Sequence, residues 1–175
     1  DTRVLSLPKD EQAAMEIALN PLKSAFFGDV HVHTTLSFDG FSMGTIATPA
    51  DAYRYARGEA LQHPAGFTMQ LHKPLDFYAV TDHAMFMGVA REAADTDTEY
   101  SSYSQAKKVH GLNNPENRGT DLLSSARRIR AFSTFLNDNV EGVRSGEIPV
   151  EHSLSIMSRA WRDVVMAARQ FNDPG

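Results

Sequence analysis

Hydrophobic and polar positions follow two rhythms along this chain. "FFGDVHV" (26–32) gathers Phe26, Phe27, Val30 and Val32 into a short apolar run, which predicts a buried strand. "PLDFYAVTDHA" (74–84), with Leu75, Phe77, Ala79 and Val80, predicts a second buried strand. Elsewhere the spacing is helical. Leu122, Leu123, Ala126, Ile129, Phe132, Phe135 and Leu136 mark a helix over 120–136. Met157, Ala160, Trp161, Val164, Val165, Ala168 and Phe171 mark an amphipathic helix over 153–171, with Trp161 and its neighbours as core. A shorter helix is expected over 8–20, stopped by Asn20-Pro21.

The strongest helix start lies between the two strands. In "ATPADAYRYARGEA", Thr48 is an N-cap, Pro49 fits the first helical position and Asp51 completes a capping-box pattern. Gly58 falls near the end of that helix, and Tyr53 and Tyr55 read as packing residues around Arg54. Residues 34–47 read as an ordered loop, 66–73 as a short extended segment, and 91–118 as a polar excursion, partly helical and partly loop. Strand, helix, strand and then helices make an α/β fold. The expected organisation is one domain: a helical extension (1–24), the region with both strands (25–90), a polar insertion (91–118) and a helical region (119–175). "NDPG" at the end is a turn signal that points onward to a further strand, so the chain reads as the N-terminal part of something longer.

Composition adds three constraints. The net charge is −5 with both signs interleaved, so no basic stripe marks a nucleic-acid surface. No stretch reaches the roughly 20 apolar residues of a membrane span. There is no cysteine, so a metal site must use histidine and carboxylate ligands.

Such ligands stand at the ends of both predicted strands. His31 and His33 point to the same side of an extended chain, at or just past the first strand's C-terminal end. Asp82 and His83 follow the second strand directly. In parallel α/β sheets, sites gather at the C-terminal ends of strands, so these four side chains would share a rim. Asp39, followed by Gly40, can fold back to join them. The plainer alternatives are polar residues on an exposed strand face and, for Asp39, a turn residue. His63, His72, His110 and His152 read as loop or surface histidines, and Glu147 and Glu151 as solvated loop or helix-cap residues. Lys73 and Arg57 read as solvent-facing charges within reach of a phosphate role.

"GDVHVHTTLSFDG" and "DFYAVTDHA" together resemble the first two motifs of the PHP (polymerase and histidinol phosphatase) superfamily. "GTIATPADAYRYARGEAL" and "LHKPLDFYAVTDHA" are similar to a branch of large bacterial PHP-like proteins. The resemblance implies the N-terminal portion of a distorted seven-stranded (β/α) barrel. It implies up to three divalent ions, zinc, manganese or iron, at the strand ends. His31 and His33 match the pair that holds the first ion, and His83 matches a ligand of another. Asp39 falls where some members place a further ligand of that same ion. Asp82 is the expected catalytic residue, on an ion or orienting one of its ligands. The implied activity is hydrolysis of a small-molecule phosphomonoester or phosphodiester by metal-activated water. A bridging carboxylate, later histidines and a terminal Asp-x-His belong to the pattern and are not found here. They are expected from the remainder of the chain or another copy. Two alternatives stay open: an amidohydrolase-type enzyme acting on a carbonyl substrate, which also begins with His-x-His after a first strand, and an inactive metal-binding fragment. The resemblance and the start at Asp1 rather than Met imply a periplasmic or secreted location.

Overall fold

In the computed structural model, which describes residues 25–118 and 121–172, the two apolar runs become a parallel pair. Strand β1 is Gly28–Val32, followed by helices α1 (Phe38–Ser42) and α2 (Pro49–Ala56). A small antiparallel hairpin joins β2 (Leu61–Gln62) to β3 (Thr68–Met69). Strand β4 (Phe77–Val80) lies beside β1, with Gly28 opposite Phe77 and Val32 opposite Val80. Helix α3 (Val89–Ala94) and 3-10 turns at Tyr100–Ser102, Ala106–Val109 and Pro115–Asn117 lead to the long helices α4 (Leu122–Ser145) and α5 (Val150–Phe171). The architecture is mixed α/β, and no closed barrel is formed among the described residues. No helix among them is long and apolar enough to cross a membrane. The helix expected over 8–20 and the last residues of "NDPG" lie outside the described residues.

Local signals explain α2. The Thr48 hydroxyl accepts the Asp51 N–H, while the Asp51 carboxylate accepts the Thr48 N–H at 3.0 Å. Pro49 opens the helix, where its missing N–H costs nothing. The Asp51 carboxyl stays below its ordinary pKa. Burial works to raise it and is outweighed by the Thr48 hydrogen bonds and the Arg54 charge. Tyr53 then reaches across to β4, where its hydroxyl accepts the Val80 N–H at 3.3 Å.

The main core draws on 91–118, which is partly helical and partly loop as expected. That stretch is polar on average, yet Ala93, Tyr100, Ala106, Val109 and Leu112 all face inward, against Phe132, Phe135, Ile148 and Ile156. An irregular segment wrapped over two helices needs few apolar residues if each of them is buried. A second cluster, Leu36, Met87, Ala160 and Val164, lies on α5 with Val80 against it.

Other expectations are corrected. Neither strand is buried. Phe26, Phe27 and Val30 are 69%, 69% and 61% exposed, and Phe77 is 47% exposed, because β1 and β4 pair only with each other among the described residues. Residues 34–47 are not all loop, since they contain α1. The segment 66–73 is extended only at β3, and its partner β2 had no sequence signal. Helix α4 runs on to Ser145, where Gly146 closes it in the left-handed region (φ 83°). Its first apolar residues, Leu122, Leu123 and Ile129, are exposed. Trp161 is 59% exposed, not core, because α5 buries the face that carries Ile156, Ala160, Val164 and Ala167.

Arg128 holds α1 in place. It is 5% exposed, and all five of its N–H groups meet neutral oxygens. Nε donates to Ser42 O (3.0 Å), Nη1 to Leu112 O (2.6 Å) and Asn117 O (3.2 Å), and Nη2 to Phe41 O (3.1 Å) and the Asn113 side-chain oxygen. Two of these acceptors are carbonyls at the C-terminal end of α1, where a helix is partially negative.

Candidate metal centre

The C-terminal ends of β1 and β4 are tied together by one carboxylate. Asp82 accepts the Thr34 N–H at 2.5 Å and the Thr34 hydroxyl at 2.7 Å, so each of its oxygens holds the chain just beyond β1. Burial pushes the Asp82 carboxyl above its ordinary pKa, against the lowering effect of the two Thr34 bonds. These bonds give Asp82 a positioning role: it sets the spacing of the two strand ends.

The tie brings His33 and His83 face to edge, with ring centroids 4.8 Å apart. Asp39, on α1, sits between them. Its oxygens lie 3.0 and 2.9 Å from His33 Nδ1, and Oδ2 lies 3.4 Å from His83 Nε2. One ligand atom from each of His33, Asp39 and His83 falls within 4.8 Å of the other two. His31 stands beside this group, its ring centroid 4.9 Å from that of His33, but it is not part of the closest set. The four expected ligands therefore gather at one rim, three tightly and His31 alongside.

Asp39 is held firmly. The Ser37 hydroxyl donates to it at 2.6 Å and the Gly40 N–H at 2.7 Å. Burial works to raise its pKa, and these two bonds together with His33 outweigh it, so Asp39 is a carboxylate at neutral pH. Gly40 is required by close approach, because a Cβ there would lie 2.5 Å from Thr34 O. The "FDG" that reads as a turn is thus a tight helical turn pressed onto the end of β1.

Three contributors escaped the sequence reading. Ser37 is fully buried and joins two ligands: it donates to Asp39 and accepts the His83 N–H at 3.1 Å. Phe38 stacks on the His83 ring (4.7 Å, 24°) and on Phe132 of the core (6.0 Å, 4°). Thr34 binds both Asp82 oxygens. The run "TTLSF" after the histidines is the only trace of these roles in the sequence. The remaining histidines lie elsewhere. His63 stacks on Phe67, His110 meets Ser101 O, and His152 meets the Tyr103 hydroxyl. Glu147 and Glu151 are exposed, and Glu147 accepts from Ser104.

His33, Asp39 and His83 could together hold a metal ion. Two ligands each about 2.1 Å from a tetrahedral ion are about 3.4 Å apart, the separation found between Asp39 and His83. The His33–Asp39 pair is closer and would open by about half an ångström. The neutral tautomer of His33 that donates from Nδ1 to Asp39 leaves the Nε2 lone pair free. In that tautomer His33 can bind an ion through Nε2 with Asp39 behind it, and in the other, with the proton on Nε2, it can bind directly through Nδ1.

A family model described as "Protein of unknown function (DUF3604)" matches residues 20–175. No curated protein and no solved structure matches the chain. The family match spans both strands, α1 and both long helices, and on that extent the chain belongs to the DUF3604 family, whose function is unknown.

Proposed function

We propose that this chain carries the first part of the metal site of a metal-dependent hydrolase, and that the substrate is a phosphate ester. The observation that carries the reading is the convergence of His33, Asp39 and His83, from two parallel strand ends and an intervening helix, within 4.8 Å of one another. The scaffold proposed is the opening portion of a PHP-type barrel. It is supported by the order of motifs along the chain and the parallel pairing of the strands that bear them.

In this reading His31, His33, Asp39 and His83 hold zinc, manganese or iron. A bound divalent ion lowers the pKa of a coordinated water to about 7 and polarises the phosphoryl oxygens. The protein's own residues supply position and charge. Asp39 provides the negative charge, fixed by Ser37 and Gly40. Phe38 and Ser37 set the His83 ring. Asp82 keeps the two strand ends at the spacing the ligands need. Further ligands come from the remainder of the chain or from another copy. The histidines bind only as neutral imidazoles, so occupancy falls in acid.

Metal analysis of the intact protein, followed by hydrolysis assays, tests this. At least one equivalent of a divalent ion is expected, and it should be lost in the His33→Ala/His83→Ala variant. Full metal occupancy in that variant overturns the site. Metal-dependent cleavage of p-nitrophenyl phosphate or its diester supports the phosphoester reading. Metal-dependent cleavage of lactones or amides alone would replace it with an amidohydrolase-type activity. Bound metal with neither activity would leave a binding domain.

A further inference from the structure

We propose that a second cavity, apart from the histidine cluster, binds a small organic anion with an apolar body. The cavity has a volume of about 460 Å³ and lies between the loop after α1, the β2–β3 hairpin and the start of α4. That volume is in the range of small-molecule sites, about 300–1,000 Å³. None of His31, His33, Asp39 and His83 lines it, so the proposal does not depend on the metal reading.

Its walls are mainly apolar and include Met43, Ile46, Leu61 and Met69. Two arginines, Arg118 and Arg128, also line it, and its described lining includes no aspartate or glutamate. In a chain of net charge −5, an acid-free pocket with two arginines runs against the average. The two arginines have different parts. All the N–H groups of Arg128 are bonded within the fold, and its acceptors are neutral, so its charge is uncompensated by any carboxylate among the described residues. Arg118 commits only Nε, to Asn113 O at 2.8 Å. Its two terminal nitrogens make no hydrogen bond or ion pair among the described residues. They offer the planar fork that receives a carboxylate or a phosphate or sulfate ester in two parallel bonds. Arg118 is therefore the group that touches the anion, Arg128 supplies a fixed positive potential behind it, and the methionines and aliphatics take the body.

Two of the seven methionines line the cavity, which makes it directly visible by NMR of the intact protein labelled at methionine methyls. Benzoate, 4-phenylbutyrate and octanoate are titrated, each beside its own uncharged amide. The Met43 and Met69 signals are expected to shift saturably with at least one carboxylate. The matching amide should bind roughly tenfold more weakly, the effect of one charge-assisted contact. Arg118→Gln should bring the carboxylate down to the affinity of its amide, and Ser125→Trp, which fills the cavity, should abolish both. Binding should persist unchanged in the His33→Ala/His83→Ala variant. Equal affinity for acid and amide, an unaffected Arg118→Gln variant, or no carboxylate binding at millimolar concentration overturns the proposal. Shifts at Met85, two residues from His83, in place of Met43 and Met69 also overturn it, because the anion would then be at the histidine cluster.

Discussion

Replacing Arg128 with methionine removes a side chain that bonds α1, α4 and the 112–117 turn together, and two opposing effects decide the outcome. A buried guanidinium without a carboxylate carries a desolvation cost, and burial lowers its pKa accordingly. Its removal would relieve that cost. Here, however, five oxygens already surround the charge, two of them at the negative end of a helix, so little of the cost remains to be relieved. The loss is larger. Phe41 O keeps the Gly44 N–H and the Asn113 amide, and the Asn117 and Asn113 oxygens are only part-buried. Ser42 O and Leu112 O are buried and are left without a donor. An orphaned buried carbonyl costs about 1–3 kcal/mol. The expected destabilisation is about 3 kcal/mol, which for a chain of this size lowers Tm by roughly 6–12 °C. Urea denaturation should show a lower midpoint with an unchanged slope. Arg128→Lys keeps the charge but cannot span the five acceptors, so it should be nearly as unstable. A methionine variant with unchanged or raised Tm refutes the reasoning, because desolvation would then have outweighed the hydrogen bonds. A fully stable lysine variant would show that charge matters and the fork does not.

Four other outcomes are expected. Thr48→Ala removes the cap of α2 and should cost about 1 kcal/mol in a denaturation curve, while Thr48→Ser should cost less. Because the Asp51 pKa is lowered by folding, its contribution is complete above the ordinary value of 3.8 and is lost as pH falls through the lower folded value. Asp51→Asn should therefore flatten the fall of Tm below about pH 4, and an unaltered acid limb would count against this linkage. Gly142→Ala gains about 1 kcal/mol of helix propensity, but the new Cβ would lie 2.9 Å from the fully buried Ile148 side chain. The clash, about 1–3 kcal/mol, should win, so a stabilised variant would mean that Ile148 can move. Phe38→Leu removes the ring stacked on His83, worth about 0.5–1.5 kcal/mol, and should weaken metal binding about 2- to 10-fold in competition with a chromogenic chelator.

What could be read from the sequence was local. The capping box of α2 involves residues three apart, and the ends of both strands are marked by apolar runs that stop at histidines. What escaped was fixed from a distance. Helix α1 contains a glycine and is one turn long. It is held by Arg128, 86 residues further along, and by the approach of Gly40 to Thr34 O. Gly142 sits inside α4 because Ile148 occupies the space a side chain would need. The burial of Tyr100 and Val109 depends on α4 and α5, which nothing in their own polar neighbourhood announces. Asp82 reads as chemistry by its place beside His83, yet its bonds to Thr34 are those of a clamp. The strands misled because an apolar run records a capacity for burial, and here the chain described leaves that capacity unused.

That unused capacity governs how the molecule behaves in company. β1 and β4 each keep one edge without a strand beside it among the described residues, next to the bare rings of Phe26, Phe27 and Phe77. An open edge of this kind is a template, and any extended segment of matching pattern can add to it. Isolated at high concentration, the chain would recruit its own kind there, strand by strand. Self-association, set by a few exposed rings and two strand edges that are only partly capped, the Val80 N–H by Tyr53 and the His31 N–H by Asp29, would then limit its handling before any property of the histidines did.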